Sequence, residues 1–161
     1  MTDYPLLSAQ LTALIGDEPD RTANLANAAA LLMTELPLLN WAGFYFVGPA
    51  RRLPGADELV LGPFQGRPAC IRLPFNKGVC GTAWARNASL VVGDVHAFPG
   101  HIACDSASRS EIVVPLRDAT GRVIGVLDLD SPEKERFTEA DRRGLEAYCR
   151  VLEEYLFIPR P

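Results

Sequence analysis

Runs of basic residues are missing from this sequence. Lysine and arginine nowhere cluster along its 161 residues, and the formal net charge is −4. A nucleic-acid or anionic-lipid surface needs a basic patch, so neither partner is expected. Long apolar runs are missing too, and nothing approaches the ~20 residues of a membrane-spanning helix. Residues 1–20 lack a basic segment followed by a long apolar one, so no secretory leader is expected and the cytoplasm is the expected compartment. Internal repeats, low-complexity segments and heptads are absent, which excludes solenoids and coiled coils. Cysteine is sparse, at four residues. In a reducing compartment four cysteines are not a secreted disulfide framework; they are structural thiols, metal ligands or catalytic thiols.

What is present fits one soluble domain spanning residues 1–161. Hydrophobic residues make up 48% of the chain and charged residues 22%, ordinary values for a globular protein. A chain of this length buries roughly 70% of its unfolded surface, enough for a core without staples.

The apolar spacing predicts two opening helices over about 5–36, separated near Gly16 to Pro19 and closed by Pro37. Strands are expected at 41–47, 58–64, 69–75, 90–95, 111–116 and 122–131, with a short glycine-led helix at 77–87. Residues 96–110 have no clean period and form a long loop, a feature more often functional than not. Thr138 and Asp141 mark a capped start for a closing helix to about 157. The layout is α+β: a central antiparallel sheet, the opening and closing helices on one face, and the site under loops on the other.

Cys149 falls on the apolar stripe of the closing helix and reads as core. Cys70, Cys80 and Cys104 flank glycine-rich or polar segments and stand as reactive or inert thiols. A helix N-terminus would lower the Cys80 thiol pKa. His96, His101 and the cysteines lack the short paired spacing of zinc modules, so no metal is expected and the histidines read as loop supports. Asp128 and Asp130 alternate with apolar residues on one strand, so both carboxylates emerge on one face. There they form either a solvated edge or a seat for a cation such as an ammonium group. Glu111 opens a strand directly after the long loop. Trp41 and Tyr45, four apart on a strand, share a face as core or as a pocket wall.

Taken in order, NWAGFY (40–45), LGPFQG (61–66), GVCGTA (78–83), DVHAFPGHIACD (94–105), SEIVVPL (110–116) and GVLDLDS (125–131) resemble the free methionine-(R)-sulfoxide reductases, single-domain enzymes of the GAF fold. The likeness runs from about 38 to 157 and departs mainly in the loop 49–55. It implies reduction of free methionine sulfoxide without a cofactor. Cys104 is then the nucleophile, and Cys70 and Cys80 are alternative resolving thiols. Glu111 sits beside the sulfoxide oxygen as proton donor, Asp128 and Asp130 bind the substrate amine, and Trp41 and Tyr45 wall the methyl end. Backbone N–H groups of the loop 97–110 are expected to hold the substrate carboxylate. Recycling by thioredoxin or a similar dithiol is implied, and a homodimer through the helices fits such a domain. A small-ligand-binding GAF module and a redox sensor are the competing classes.

Overall fold

Asp3 and Asp20 each open a helix by accepting a hydrogen bond from a backbone N–H three residues on, at 3.0 Å from Leu6 and 2.8 Å from Ala23. These helices are α1 (Tyr4–Ile15) and α2 (Arg21–Glu35). Six strands follow: β1 (Trp41–Pro49), β2 (Asp57–Gly66), β3 (Arg72–Pro74), β4 (Leu90–Val92), β5 (Ser110–Arg117) and β6 (Val123–Ser131). Helix α3 (Gly78–Arg86) lies between β3 and β4, and α4 (Glu139–Leu152) ends the fold with a π-helical turn at Glu153–Phe157. The structure, a computed structural model, describes residues 1–158.

The sheet order is β3-β2-β1-β6-β5-β4, and every pairing is antiparallel. Alternation along the strands divides the side chains between two cores. Ala42, Phe44, Ile112, Val114, Leu127 and Leu129 face the helices and pack with Leu7, Leu11, Leu32, Leu145, Tyr148 and Leu152. Trp41, Tyr45, Val113 and Val126 face the other way and pack with Val79 and Cys80 of α3. The α+β arrangement with its site on the face away from the long helices is therefore as expected. Cys149 is buried in the helix-side core.

Three boundaries differ from expectation. The strand expected from Ala69 shrinks to Arg72–Pro74, so Cys70 stands in the preceding loop, where Tyr45 takes its carbonyl. The strand expected over 90–95 stops at Val92, because the Asp94 side chain accepts from the His96 N–H and starts a 3-10 turn at Val95–Ala97. The last α-helix gives way to the π turn after Leu152. The capping box is as expected: Thr138 and Asp141 exchange hydrogen bonds between side chain and backbone.

Candidate active site

Two glycines set α3 in place. Gly78 has φ +65°, a conformation other residues adopt at a cost. A Cβ on Gly81 would stand 2.3 Å from the carbonyl oxygen of Pro74, so only glycine permits that approach. Together they press the first turn of α3 against the sheet and bury Cys80.

A cavity of about 50 Å3 lies between this turn, the sheet and the loop after the 3-10 turn. Trp41, Tyr45, Cys80, Cys104, Glu111, Asp128 and Asp130 all line it. Cys70 closes the set by a disulfide to Cys104, with Cα atoms 5.4 Å apart and a sequence separation of 34. All eight residues singled out from the sequence thus meet at one place.

The aromatic wall is held by its polar ends. Trp41 and Tyr45 stack with ring centroids 5.9 Å apart. The Trp41 indole N–H donates to the carbonyl of Arg67 at 3.1 Å, and the Tyr45 hydroxyl donates to the carbonyl of Cys70 at 2.9 Å. Burial and the neighbouring carboxylates push the Tyr45 phenol well up, so it remains a donor.

The carboxylates meet across the strands. In the β5–β6 ladder Glu111 pairs with Asp130, and Val113 with Asp128. Asp128 is only 6% exposed and Asp130 is partly buried, so the pair is not a freely solvated edge; Glu111, also 6% exposed, is not an exposed strand-end charge. Burial, then the charges of Asp128 and Asp130, hold Glu111 well above the usual carboxylate range. Burial pushes Asp128 up to about 6, opposed by hydrogen bonds from Glu111 and Cys80. Asp130 is raised well up by burial and by the charges of Asp128 and Asp105. Oδ1 of Asp128 is buried without a hydrogen-bond partner. The site is thus rich in acceptors and short of a cation.

Cys80 corrects the expectation of an activated thiol. Its Sγ lies 3.8 Å from Oε1 of Glu111, and burial with three nearby carboxylates pushes its thiol well up. Burial, and then local negative charge, outweigh the helix N-terminus. The histidines stack edge to face at 6.0 Å beside the loop. Among the described residues, the group that could hold a metal ion is Cys80, Glu111 and Asp128, not the cysteine and histidine set weighed from sequence.

Residues with no role assigned from the sequence shape the loop. The Asn40 side-chain amide donates to Asp105 at 3.3 Å and to Ser108 at 3.1 Å, tying the cysteine loop to the start of β1. Asn40 stands in the first recognised motif, and its polar side chain before an aromatic strand was the available signal. Loop amides expected to bind substrate are largely engaged: His101, Cys104 and Ser108 donate to carbonyls within the loop, and Ala107 donates to the Asp105 side chain. The N-terminus of α3 has no side-chain cap, and Lys77, Gly78 and Val79 line the cavity.

The GAF domain family model matches residues 23–153. Free methionine-R-sulfoxide reductase of Escherichia coli (strain K12) is 49% identical over 95% of this chain and 88% of its own. The chain belongs to the free methionine-R-sulfoxide reductase family of GAF-domain proteins. Protein YtsP of Bacillus subtilis (strain 168) is 56% identical to this family member, over 96% of this chain and 91% of its own. The X-ray structure of free methionine-R-sulfoxide reductase from Neisseria meningitidis in complex with its substrate has a TM-score of 0.86 and 49% identity, covering 94% of this chain and 87% of that one. In this family member the sheet face opposite the long helices carries the cavity. No helix among the described residues is long and apolar enough to cross a membrane.

Proposed function

We propose that this protein reduces free methionine (R)-sulfoxide to methionine by thiol chemistry. The observation that carries the reading is the cavity itself: the Cys70–Cys104 disulfide, a buried carboxylate cluster and the Trp41–Tyr45 wall converge in about 50 Å3. Family membership at 49% identity supports the substrate class.

The roles follow from the chemistry. Asp128 and Asp130 receive the substrate ammonium, which supplies the missing cation. Lys77 and the uncapped amides of α3 replace the loop amides as seat for the substrate carboxylate. Trp41 and Tyr45 enclose the methyl end. Sulfoxide sulfur is a weak electrophile until its oxygen is protonated, so a thiolate attacks while an acid delivers a proton. Glu111 is that acid, since burial and the neighbouring carboxylates favour its protonated form. Cys104 attacks; the oxygen passes to its sulfur as sulfenic acid, and two electrons pass to the substrate sulfur, releasing methionine. Cys70 condenses with the sulfenic acid, expelling water and forming the disulfide. The bond between Cys70 and Cys104 supports Cys70 over Cys80 as the resolving thiol.

A thioredoxin-like dithiol then reduces the disulfide and is itself oxidised. Recycling by that partner in the cytoplasm, and association as a homodimer through the helices, complete the proposal; analytical ultracentrifugation reads the latter.

The deciding assay is thioredoxin-coupled NADPH consumption with the free R sulfoxide, the S epimer and a peptide-bound sulfoxide. Consumption is expected with the free R form. None with that form would favour a ligand-binding module or redox sensor. Cys104→Ser should abolish turnover, whereas Cys70→Ser should still release one methionine per chain without reductant. If Cys70→Ser recycles normally and Cys80→Ser does not, the resolving role passes to Cys80.

A further inference from the structure

Cys80, Glu111 and Asp128 come from three elements, the first turn of α3 and the neighbouring strands β5 and β6. Their ligand atoms lie within 4.8 Å of one another, and all three side chains are buried. The Cys80 Sγ and Glu111 Oε1 are 3.8 Å apart. A thiolate at about 2.3 Å and a carboxylate oxygen at about 2.0 Å on a tetrahedral zinc ion stand about 3.5 Å from each other. The observed pair is a hydrogen bond from the Cys80 thiol to Glu111, and its length is close to the separation that a shared ion would impose. Independently, Oδ1 of Asp128 is buried with no hydrogen-bond partner, on a residue that lines the same cavity. Among the described residues, no lysine, arginine or histidine forms an ion pair with Glu111, Asp128 or Asp130. The cavity, at about 50 Å3, has room for several waters and so for a small hydrated ion.

We propose that Cys80, Glu111 and Asp128 form a binding site for a borderline-soft divalent cation of the zinc class, and that its occupancy inhibits the enzyme. Three protein donors leave a fourth position for water. Binding exchanges the thiol proton, and any carboxyl proton present, for a metal bond; the protons go to solvent and no oxidation state changes. Cys80 lies outside the disulfide, so its thiol is not consumed when Cys70 and Cys104 are bonded. Occupancy stands on the geometry alone. Inhibition rests on the proposed reductase reading, because the ion removes Glu111 as proton donor and Asp128 as ammonium partner.

Cobalt(II) titration of the full chain in its disulfide form tests the site. Only Cys80 and Cys149 are then free thiols, and Cys149 lies in the opposite core. One cobalt per chain should bind with a near-ultraviolet thiolate-to-cobalt charge-transfer band. Cys80→Ser should lose that band, and Asp128→Asn should weaken affinity by about tenfold or more. Zinc should displace the cobalt and suppress sulfoxide turnover in parallel, with recovery on chelation. A wild-type protein without the band, or a band that survives in Cys80→Ser, overturns the site. If Cys80→Ser does not fold, unchanged cobalt affinity in Asp128→Asn overturns it equally. Cobalt binding with the band in a protein that never turns over the sulfoxide keeps the metal site and overturns the reductase reading. Turnover without the band does the reverse.

Discussion

The hydroxyl of Tyr45 donates a 2.9 Å hydrogen bond to the carbonyl oxygen of Cys70. A residue in the middle of β1 thereby holds the backbone of a disulfide cysteine 25 residues away, on a loop with no ladder of its own. The stacked Trp41 ring supports the same phenol from one side. The wall of the cavity and the placement of the redox couple are one device.

Tyr45→Phe isolates that device. Removing one neutral hydrogen bond should lower stability by about 1 kcal/mol. Disulfide closure after a single turnover should slow several-fold, while the first release of methionine changes little. Rapid-quench thiol counting separates the two steps; equal slowing of both would show that Tyr45 acts on the substrate rather than on Cys70.

Glu111→Gln removes the proposed proton donor and keeps the shape. Loss of general acid catalysis costs about 10²- to 10⁴-fold in turnover. The wild-type rate should fall as pH rises through the elevated Glu111 pKa, and the variant should lose that limb. A pH–rate profile of kcat/KM with identical alkaline limbs in both proteins would reject the assignment.

Stability should move opposite to activity in Asp128→Asn. Burial raises Asp128 from 3.8 to about 6, so the folded protein binds more protons than the unfolded chain. Stability contributed by such a group is present below the unfolded pKa and is lost as pH rises toward the folded one. At pH 7 the ionised carboxylate is a net cost, and its neutral counterpart should be more stable by about 1–3 kcal/mol. Thermal melts at pH 4 and pH 7 should show the gain only at the higher value, alongside a raised KM for substrate.

Two substitutions away from the reacting groups separate scaffold from site. Gly81→Ala places a methyl group against the Pro74 carbonyl and should cost about 1–3 kcal/mol while displacing Cys80. Thr138→Ala removes the cap of α4, should cost about 1 kcal/mol, and should leave kcat unchanged. Denaturant melts paired with turnover assays distinguish them.

Much of this was legible because strand periodicity is unforgiving. Asp128 and Asp130 had to share a face, and so did Trp41 and Tyr45, once their segments were strands. The capping box of Thr138 and Asp141 is equally local. Cys70 was harder: its loop position follows from a tyrosine hydroxyl and a disulfide partner 34 residues on, neither of which leaves a periodic trace. The state of Cys80 was misread for a similar reason. A helix N-terminus is visible in sequence, but the burial that outweighs it, and the three carboxylates that add to it from β5 and β6, come from tertiary packing. Asn40 contributes through two long-range bonds to Asp105 and Ser108, and its own neighbours along the chain say nothing of them.

The Cys70–Cys104 bond links residues 34 positions apart in the chain. Cross-linking a segment of that length restricts the unfolded ensemble by about 3–4 kcal/mol. In the proposed cycle this bond is made and broken once per turnover, so the enzyme would alternate between a tougher and a softer form of itself. Its melting temperature becomes a clock hand for the cycle: a thermal scan on a working mixture reads which half of the reaction the population is waiting in.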